Sequence, residues 1–274
     1  MKITLPNGNV ISIDNYLAEK LDLMCEKVTD HKFDNLIIID GDEGYGKSNL
    51  AAVVCGYVHY KTGRPLTNAN VFFGIDKMVD FAKTTKKQIV WWDEAALGGL
   101  AMESYNKVQL VLLKLLFVAR KKQHFYVFVI PKFYKLREPI IDRAVALLHV
   151  YSRDGLTRGR FAYFKTDNFD KLYAFWNKKR EKGYKYYYNS CGSFSRVMGK
   201  VINEAEYERQ KDEGILSIGS DTINKKNKAL EDTKKKLTEL KSKFDSLPGV
   251  NRQNKAIHLG ISPKTLQRWG KPDD

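Results

Sequence analysis

No stretch of the 274 residues is apolar for long enough to cross a membrane. The most apolar helical stretch, Val108 to Ala119, is about twelve residues and contains Lys114, whereas a span needs about 20. The N-terminus has no basic segment followed by an apolar run, so no secretory signal is visible. Cysteine is scarce: Cys25, Cys55 and Cys191 are odd in number and far apart. They form neither a disulfide framework nor a cysteine-based zinc pattern, and they suit a reducing cytoplasm. No internal repeat is present. Acidic residues are also short, 32 against 47 Lys and Arg, for a formal net charge of +15. The excess is uneven: about +11 falls in residues 151–274 and about +4 in residues 1–150. A basic second half points to a polyanionic partner, nucleic acid or an acidic membrane surface, although high charge also serves solubility.

What is present is an ordinary apolar fraction of 43%, in a chain long enough for one substantial core and a small accessory module. Residues 1–12 read as a hairpin, because two alternating segments flank Pro6-Asn7-Gly8-Asn9. Leu17, Leu21, Met24 and Val28 recur at helical spacing. Strands and helices then alternate: strands at Asn35–Asp40, Val71–Phe73, Gln88–Trp92, Phe125–Ile130 and Ala144–Tyr151, helices at Lys47–Lys61, Ile75–Thr84 and Tyr105–Lys121. The pattern predicts an α/β fold, a mostly parallel RecA-like P-loop sheet flanked by helices.

Beyond Tyr151 an antiparallel strand is expected at Gly159–Lys165 and a helix near Phe169–Arg180, with 184–200 irregular. Glu204 to Glu213 reads as a solvated helix, and Ile223, Leu230, Leu237 and Phe244 repeat every seven residues. The expected domains are an N-terminal hairpin and helix at 1–32, belonging to the same domain as the core at 33–200. A helical linker at 201–249 and a small all-α module at 250–274 follow.

The chemistry is concentrated at two strand ends. Gly41-Asp42-Glu43-Gly44-Tyr45-Gly46-Lys47-Ser48 is G-x-x-x-x-G-K-S, placed directly after an apolar strand and before a helix. In that context Gly41, Gly44, Tyr45, Gly46, Lys47, Ser48 and Asn49 are the candidate nucleotide-binding residues. Glycines let the backbone wrap phosphates, amides at the helix start bind the anion, and Lys47 neutralises β/γ oxygens. Ser48 would give a hydroxyl to Mg2+, with ATP as the expected nucleotide. Asp93 and Glu94 end a later apolar strand. Asp93 supplies the second metal anchor and Glu94 a group to orient the attacking water.

This order of pieces resembles the FtsK–HerA superfamily of DNA-pumping ATPases, in the compact versions carried by viruses and plasmids. Three stretches carry the likeness: 41–48, Gln88–Ala95, and the basic helix end running into a strand, Ala119-Arg120-Lys121-Lys122-Gln123-His124-Phe125 onward. Ile141-Asp142-Arg143-Ala144-Val145 is similar to the family's arginine leading into the next strand. One departure stands out: relatives place a polar sensor after the fourth strand, where this chain has Ile130-Pro131-Lys132. The resemblance implies a homo-oligomeric ring, commonly a hexamer. Each site would be completed by a neighbour's arginine, with Arg143 the first candidate and Arg120 the second.

At the C-terminus, residues 254–269 read as a helix-turn-helix, with Gly260 at the turn, Ser262 as cap and Pro263 at the first helical position. Lys264, Thr265, Gln267 and Arg268 then face outward, suited to the major groove of double-stranded DNA. The segment 178–188 mixes cations with tyrosines and reads equally as a nucleic-acid grip or as a loop packed on the core. The expected function is an ATP-driven DNA packaging or transfer motor of a virus or mobile element in the host cytoplasm, partnered by DNA and a portal or capsid component. Two alternatives stay open: an ATP-dependent DNA-binding regulator, such as a helicase loader or transposition accessory, and a phage assembly ATPase resembling zonula occludens toxin proteins.

Overall fold

The segment Asn35–Gly41 is apolar on both faces because it ends up at the centre of a sheet, with every residue buried. The computed structural model describes residues 1–93 and 102–246. In it a two-stranded hairpin, β1 (Lys2–Thr4) and β2 (Val10–Ser12), leads into α1 (Asn15–Thr29), capped by the Asp14 side chain. Next come β3 (Asn35–Gly41), α2 (Lys47–Thr62), β4 (Val71–Phe72), α3 (Ile75–Thr84) and β5 (Ile89–Asp93). They are followed by α4 (Met102–Val118), β6 (Phe125–Val129), α5 (Glu138–Ile141), β7 (Ala146–Tyr151) and β8 (Arg160–Lys165). The last elements are α6 (Thr166–Lys179), α7 (Tyr184–Tyr187), β9 (Ser190–Ser193), α8 (Met198–Val201) and α9 (Glu204–Ser246).

The seven-stranded sheet runs β4-β5-β6-β3-β7-β8-β9. Its first five strands are mutually parallel, and β8 and β9 each pair antiparallel to their predecessor. The fold is therefore α/β, a mostly parallel sheet flanked by helices. Alternate residues of β3 feed separate cores. Ile37 and Ile39 join α1 and α2, whereas Leu36 and Ile38 join α3, α4 and the aromatic residues of β6 and β8. β6 lies between β3 and β5, so the loop after β3 and the acidic end of β5 are two strands apart.

Among the described residues no helix is long and apolar enough to cross a membrane. The chain divides into a compact unit at Met1–Leu216 and a second at Ser217–Asp274. Residues 201–216, expected in a linker, belong to the first unit. The stretch 184–200, expected to be irregular, contains α7, β9 and α8. The helix expected at Glu204–Glu213 continues to Ser246. The helix-turn-helix expected within 250–274 lies outside the described residues.

His124, within the stretch that resembles a basic helix end, is a fastener. It has no exposure, accepts the Gln88 amide at Nδ1 (3.1 Å) and donates from Nε2 to the Ala82 carbonyl (3.0 Å). Burial lowers its pKa from the ordinary 6.5, so the folded protein holds it neutral. The unfolded chain takes up that proton as pH falls through 6.5, which favours unfolding. The thermal midpoint should therefore drop between pH 7 and pH 5.5, and drop less in His124→Gln. Equal slopes in the two proteins would remove His124 as a source.

Candidate nucleotide-binding site

β3 remains buried through Gly41, where the chain must turn beside β7. Gly41 has φ 142°, and a Cβ there would lie 2.2 Å from the Val150 carbonyl oxygen, so only glycine fits. The loop ends at Gly46, the left-handed N-cap of α2 (φ 97°), which offers no side-chain cap to the helix. The first-turn amides of α2 thus lack a side-chain acceptor and sit at the positive end of the helix dipole, an arrangement suited to an anion. Lys47 folds back over this loop and donates from Nζ to the carbonyls of Gly41 (2.9 Å) and Asp42 (3.0 Å). Burial lowers its pKa, while Asp93, Asp40, Glu43 and Asp42 pull the other way. Phosphate oxygens would replace those two carbonyls.

The acidic strand reaches the same place from two strands away. Val129 of β6 pairs with Ile39 on one side and with Asp93 on the other, so the ends of β3 and β5 are level. Their backbones are then about 10 Å apart, spanned by the first turn of α2. The Asp93 side chain is only 2% exposed, accepts the Tyr207 hydroxyl at 2.7 Å and borders the same cavity as Ser48. Burial raises its pKa, opposed by hydrogen bonds from Ser48 and Tyr207 and by the charges of Lys211 and Lys47. A carboxylate and a hydroxyl bordering one cavity, beside a phosphate-binding turn, are the hard oxygen donors that Mg2+ takes. The residues fit that ion.

Above the loop lies a cavity of about 730 Å3. The loop residues 43–49 and Asp93 form one wall, and Ile130 and Pro131 extend it at the end of β6. The opposite wall comes from later in the chain: Arg158, Phe194 and Arg196, then Tyr207 and Lys211 of α9. The Phe194 ring is 3.5 Å from where a Cβ on Gly46 would be.

Of the residues singled out from sequence, Gly44, Tyr45, Gly46, Lys47, Ser48 and Asp93 meet at this cavity. Asn49 also borders it, but its carboxamide oxygen accepts the amides of Val197 (3.2 Å) and Met198 (3.4 Å) and so clips α8 to α2. Glu94 lies outside the described residues, as do Lys264, Thr265, Gln267 and Arg268. Arg143 stands just before β7 and Arg120 at the approach to β6, both at the N-terminal ends of strands parallel to β3 and so at the opposite end of the sheet from the loop that follows it. Arg143 is engaged there, with Asp34 at 2.7 Å and the Leu116 carbonyl at 3.2 Å, whereas Arg120 is exposed and lies 5.9 Å over the Phe33 ring. The tyrosine-rich segment divides: Tyr184 packs inward on Asp40, while Tyr186 and Tyr188 are exposed.

Sequence reading missed Asp40 and Tyr207. The Glu204–Glu213 helix was expected to be solvated, yet Tyr207 is 1% exposed and its hydroxyl donates to Asp93 Oδ2 at 2.7 Å. The signal was one aromatic residue in an otherwise charged turn. Arg158, Phe194 and Arg196 carry no local motif that would announce them.

A parallel sheet with a strand between the loop-bearing and acidic strands, and a glycine-rich loop feeding a helix, define the architecture of P-loop ATPases. No protein-family profile and no curated protein matches the chain. Among solved structures it is similar to the N-terminal domain of zonular occludens toxin from Neisseria meningitidis, at 15% identity over 48% of this chain and 84% of that one, with TM-score 0.35. The genome packaging NTPase B204 of Sulfolobus turreted icosahedral virus 2, solved with ATP-gammaS, shares 12% identity over 49% and 93% of the two chains, at TM-score 0.30. The cytoplasmic domain of the Thermomonospora curvata type VII secretion ATPase EccC shares 13% over 60% and 24%, at TM-score 0.36. These are partial likenesses, about half of this chain in the first two cases.

Proposed function

We propose that the chain hydrolyses ATP and uses it to move double-stranded DNA, as a packaging or transfer motor assembled into a ring of copies. The observation that carries the hydrolytic part is the meeting of Lys47, Ser48 and Asp93 at one cavity beside an uncapped helix start. Lys47 and the α2 amides hold the phosphates, and Ser48 and Asp93 hold the metal side. Ser48 and Asp93 would hold Mg2+, which would supply positive charge to offset that developing on the phosphates. Glu94, the residue after Asp93, orients water for attack on the γ-phosphate.

DNA as the load is supported by the net charge of +15, concentrated in the second half, and by the residues 254–269 read as a helix-turn-helix. A ring is what the FtsK–HerA resemblance implies, and Arg120 and Arg143 lie away from their own loop, so that an arginine finger from either would act on a neighbour's site. Arg120 is the readier of the two, since Arg143 would first have to leave Asp34. ATP hydrolysis measured with and without double-stranded DNA, over a range of protein concentrations, tests the whole reading. Specific activity should rise with concentration and rise again with DNA, the DNA effect weakening as salt increases. Activity indifferent to both would leave an ATPase without the motor.

A further inference from the structure

Helix α9 closes part of the P-loop cavity, and its contact with the metal-side carboxylate is a single hydroxyl. Tyr207 sits in the first turns of α9, its ring packed against Phe73 (centroids 5.1 Å apart) and Trp91 (5.7 Å). Its hydroxyl donates to Asp93 Oδ2 at 2.7 Å, with Ser48 beside both groups.

Several independent contacts hold α9 in this seat. Asn203, just before it, exchanges two hydrogen bonds with Asn68, at 2.9 and 3.1 Å. Further along, Gly214 lies so close to Phe73 that a Cβ would come within 2.6 Å of the Phe73 Cβ. Gly214 therefore keeps a glycine inside a helix for packing, at the cost in helix propensity that glycine carries. Glu204, Tyr207, Glu208 and Lys211 all border the same cavity as the loop.

We propose that Tyr207 is a positioning residue of the nucleotide site, holding Asp93 against Ser48 so that their oxygens are presented together to the metal ion that accompanies the triphosphate. The proposal rests on the nucleotide reading above. It differs from a plain packing role because the ring and the hydroxyl have separate duties. The ring fills the space between Phe73 and Trp91. The hydroxyl fixes one carboxylate oxygen beside Ser48. A buried carboxylate with one fewer donor can rotate away from its place, which weakens the metal but not the contacts that Lys47 and the α2 amides make with phosphate.

The experiment compares Tyr207→Phe with wild type in binding N-methylanthraniloyl-ATP, followed by fluorescence, once in excess EDTA and once in Mg2+. Tyr207→Phe keeps the ring and removes only the hydroxyl. In wild type, Mg2+ should tighten binding. In the variant, that Mg2+-dependent gain should shrink about tenfold, the worth of one hydrogen bond to a charged group, with binding in EDTA within about twofold of wild type. Phe73→Leu loosens the ring's seat without touching the hydroxyl and should leave most of the Mg2+ gain in place. Equal loss in EDTA and in Mg2+ would make Tyr207 a packing residue and overturn the proposal, as would an unchanged Mg2+ gain. Wild-type protein that binds the probe in neither condition would instead overturn the nucleotide reading, and this proposal with it.

Discussion

Lys47→Ala is expected to lower ATP hydrolysis by about three orders of magnitude while leaving the protein folded. The size follows from what the ammonium does at the transition state. Charge collects on the γ-phosphate oxygens as the bond to the β-phosphate opens, and a fixed donor inside a buried site is worth about 10²–10³ in rate. Lysine adds a full positive charge, which places the loss at the upper end, about 4 kcal/mol. The fold should survive because the Nζ contacts are with loop carbonyls of Gly41 and Asp42, and Asp42 is exposed, so water can replace the ammonium there. Lys47→Arg should not restore activity, since a planar guanidinium does not fit where a compact point charge sits against the loop carbonyls of Gly41 and Asp42. Glu94→Gln gives the contrasting phenotype: nucleotide still binds, and turnover is lost. Hydrolysis within tenfold of wild type in Lys47→Ala, measured as phosphate release by purified protein, would take the engine out of this account. Normal turnover in Glu94→Gln would free Glu94 from its role.

How far such a site can be read from sequence depends on how local its determinants are. The loop, its lysine and the acidic strand end were all legible, because each is a contiguous string whose neighbours dictate the same strand or helix. Ile75–Thr84 was read as a helix to its last residue, for the same reason: Met78, Val79 and Ala82 form one apolar stripe. Tyr207 was not legible in its role. The turns around it are charged, and its environment comes from Phe73, Trp91 and Asp93, more than a hundred residues earlier. β9 escaped notice because four residues with alternating partial burial have too little periodicity to separate them from a loop. Left-handed Lys32, Lys87 and Gln123, each in the chain just before a strand, show that turns here are made without the glycines that would have marked them.

Asp40 is the clearest case of a residue hidden inside a motif, and replacing it should have the largest effect on stability. It precedes Gly41 on the face of β3 opposite α2, and has no exposure at all. Its Oδ1 accepts His149 Nδ1 at 2.8 Å, and its Oδ2 accepts the Tyr184 hydroxyl at 2.5 Å and the Phe133 amide at 3.2 Å. Tyr184 in turn stacks flat on His149, ring centroids 3.5 Å apart, and meets Phe133 edge-on at 5.8 Å. One carboxylate thus binds the stem of the phosphate loop to β7, to α7 and to the chain leaving β6. Asp40→Ala would strand three donors in a dry interior, and breaking a buried network of this kind costs about 3–5 kcal/mol. For a unit of this size, each kcal/mol lowers the thermal midpoint by about 2–4 °C, so a fall of about 10 °C is expected. Asp40→Asn keeps the volume but turns one acceptor oxygen into a donor facing another donor, and should fall between the two. Nucleotide affinity should weaken in parallel, because the Phe133 amide anchors the segment that carries Ile130 and Pro131 into the cavity wall. Calorimetric or circular-dichroism melts of the three proteins decide it: an Asp40→Ala midpoint within about 2 °C of wild type would mean that the interior can hydrate or close around the loss. The carboxylate would then be a passenger of the loop, with no part in holding it.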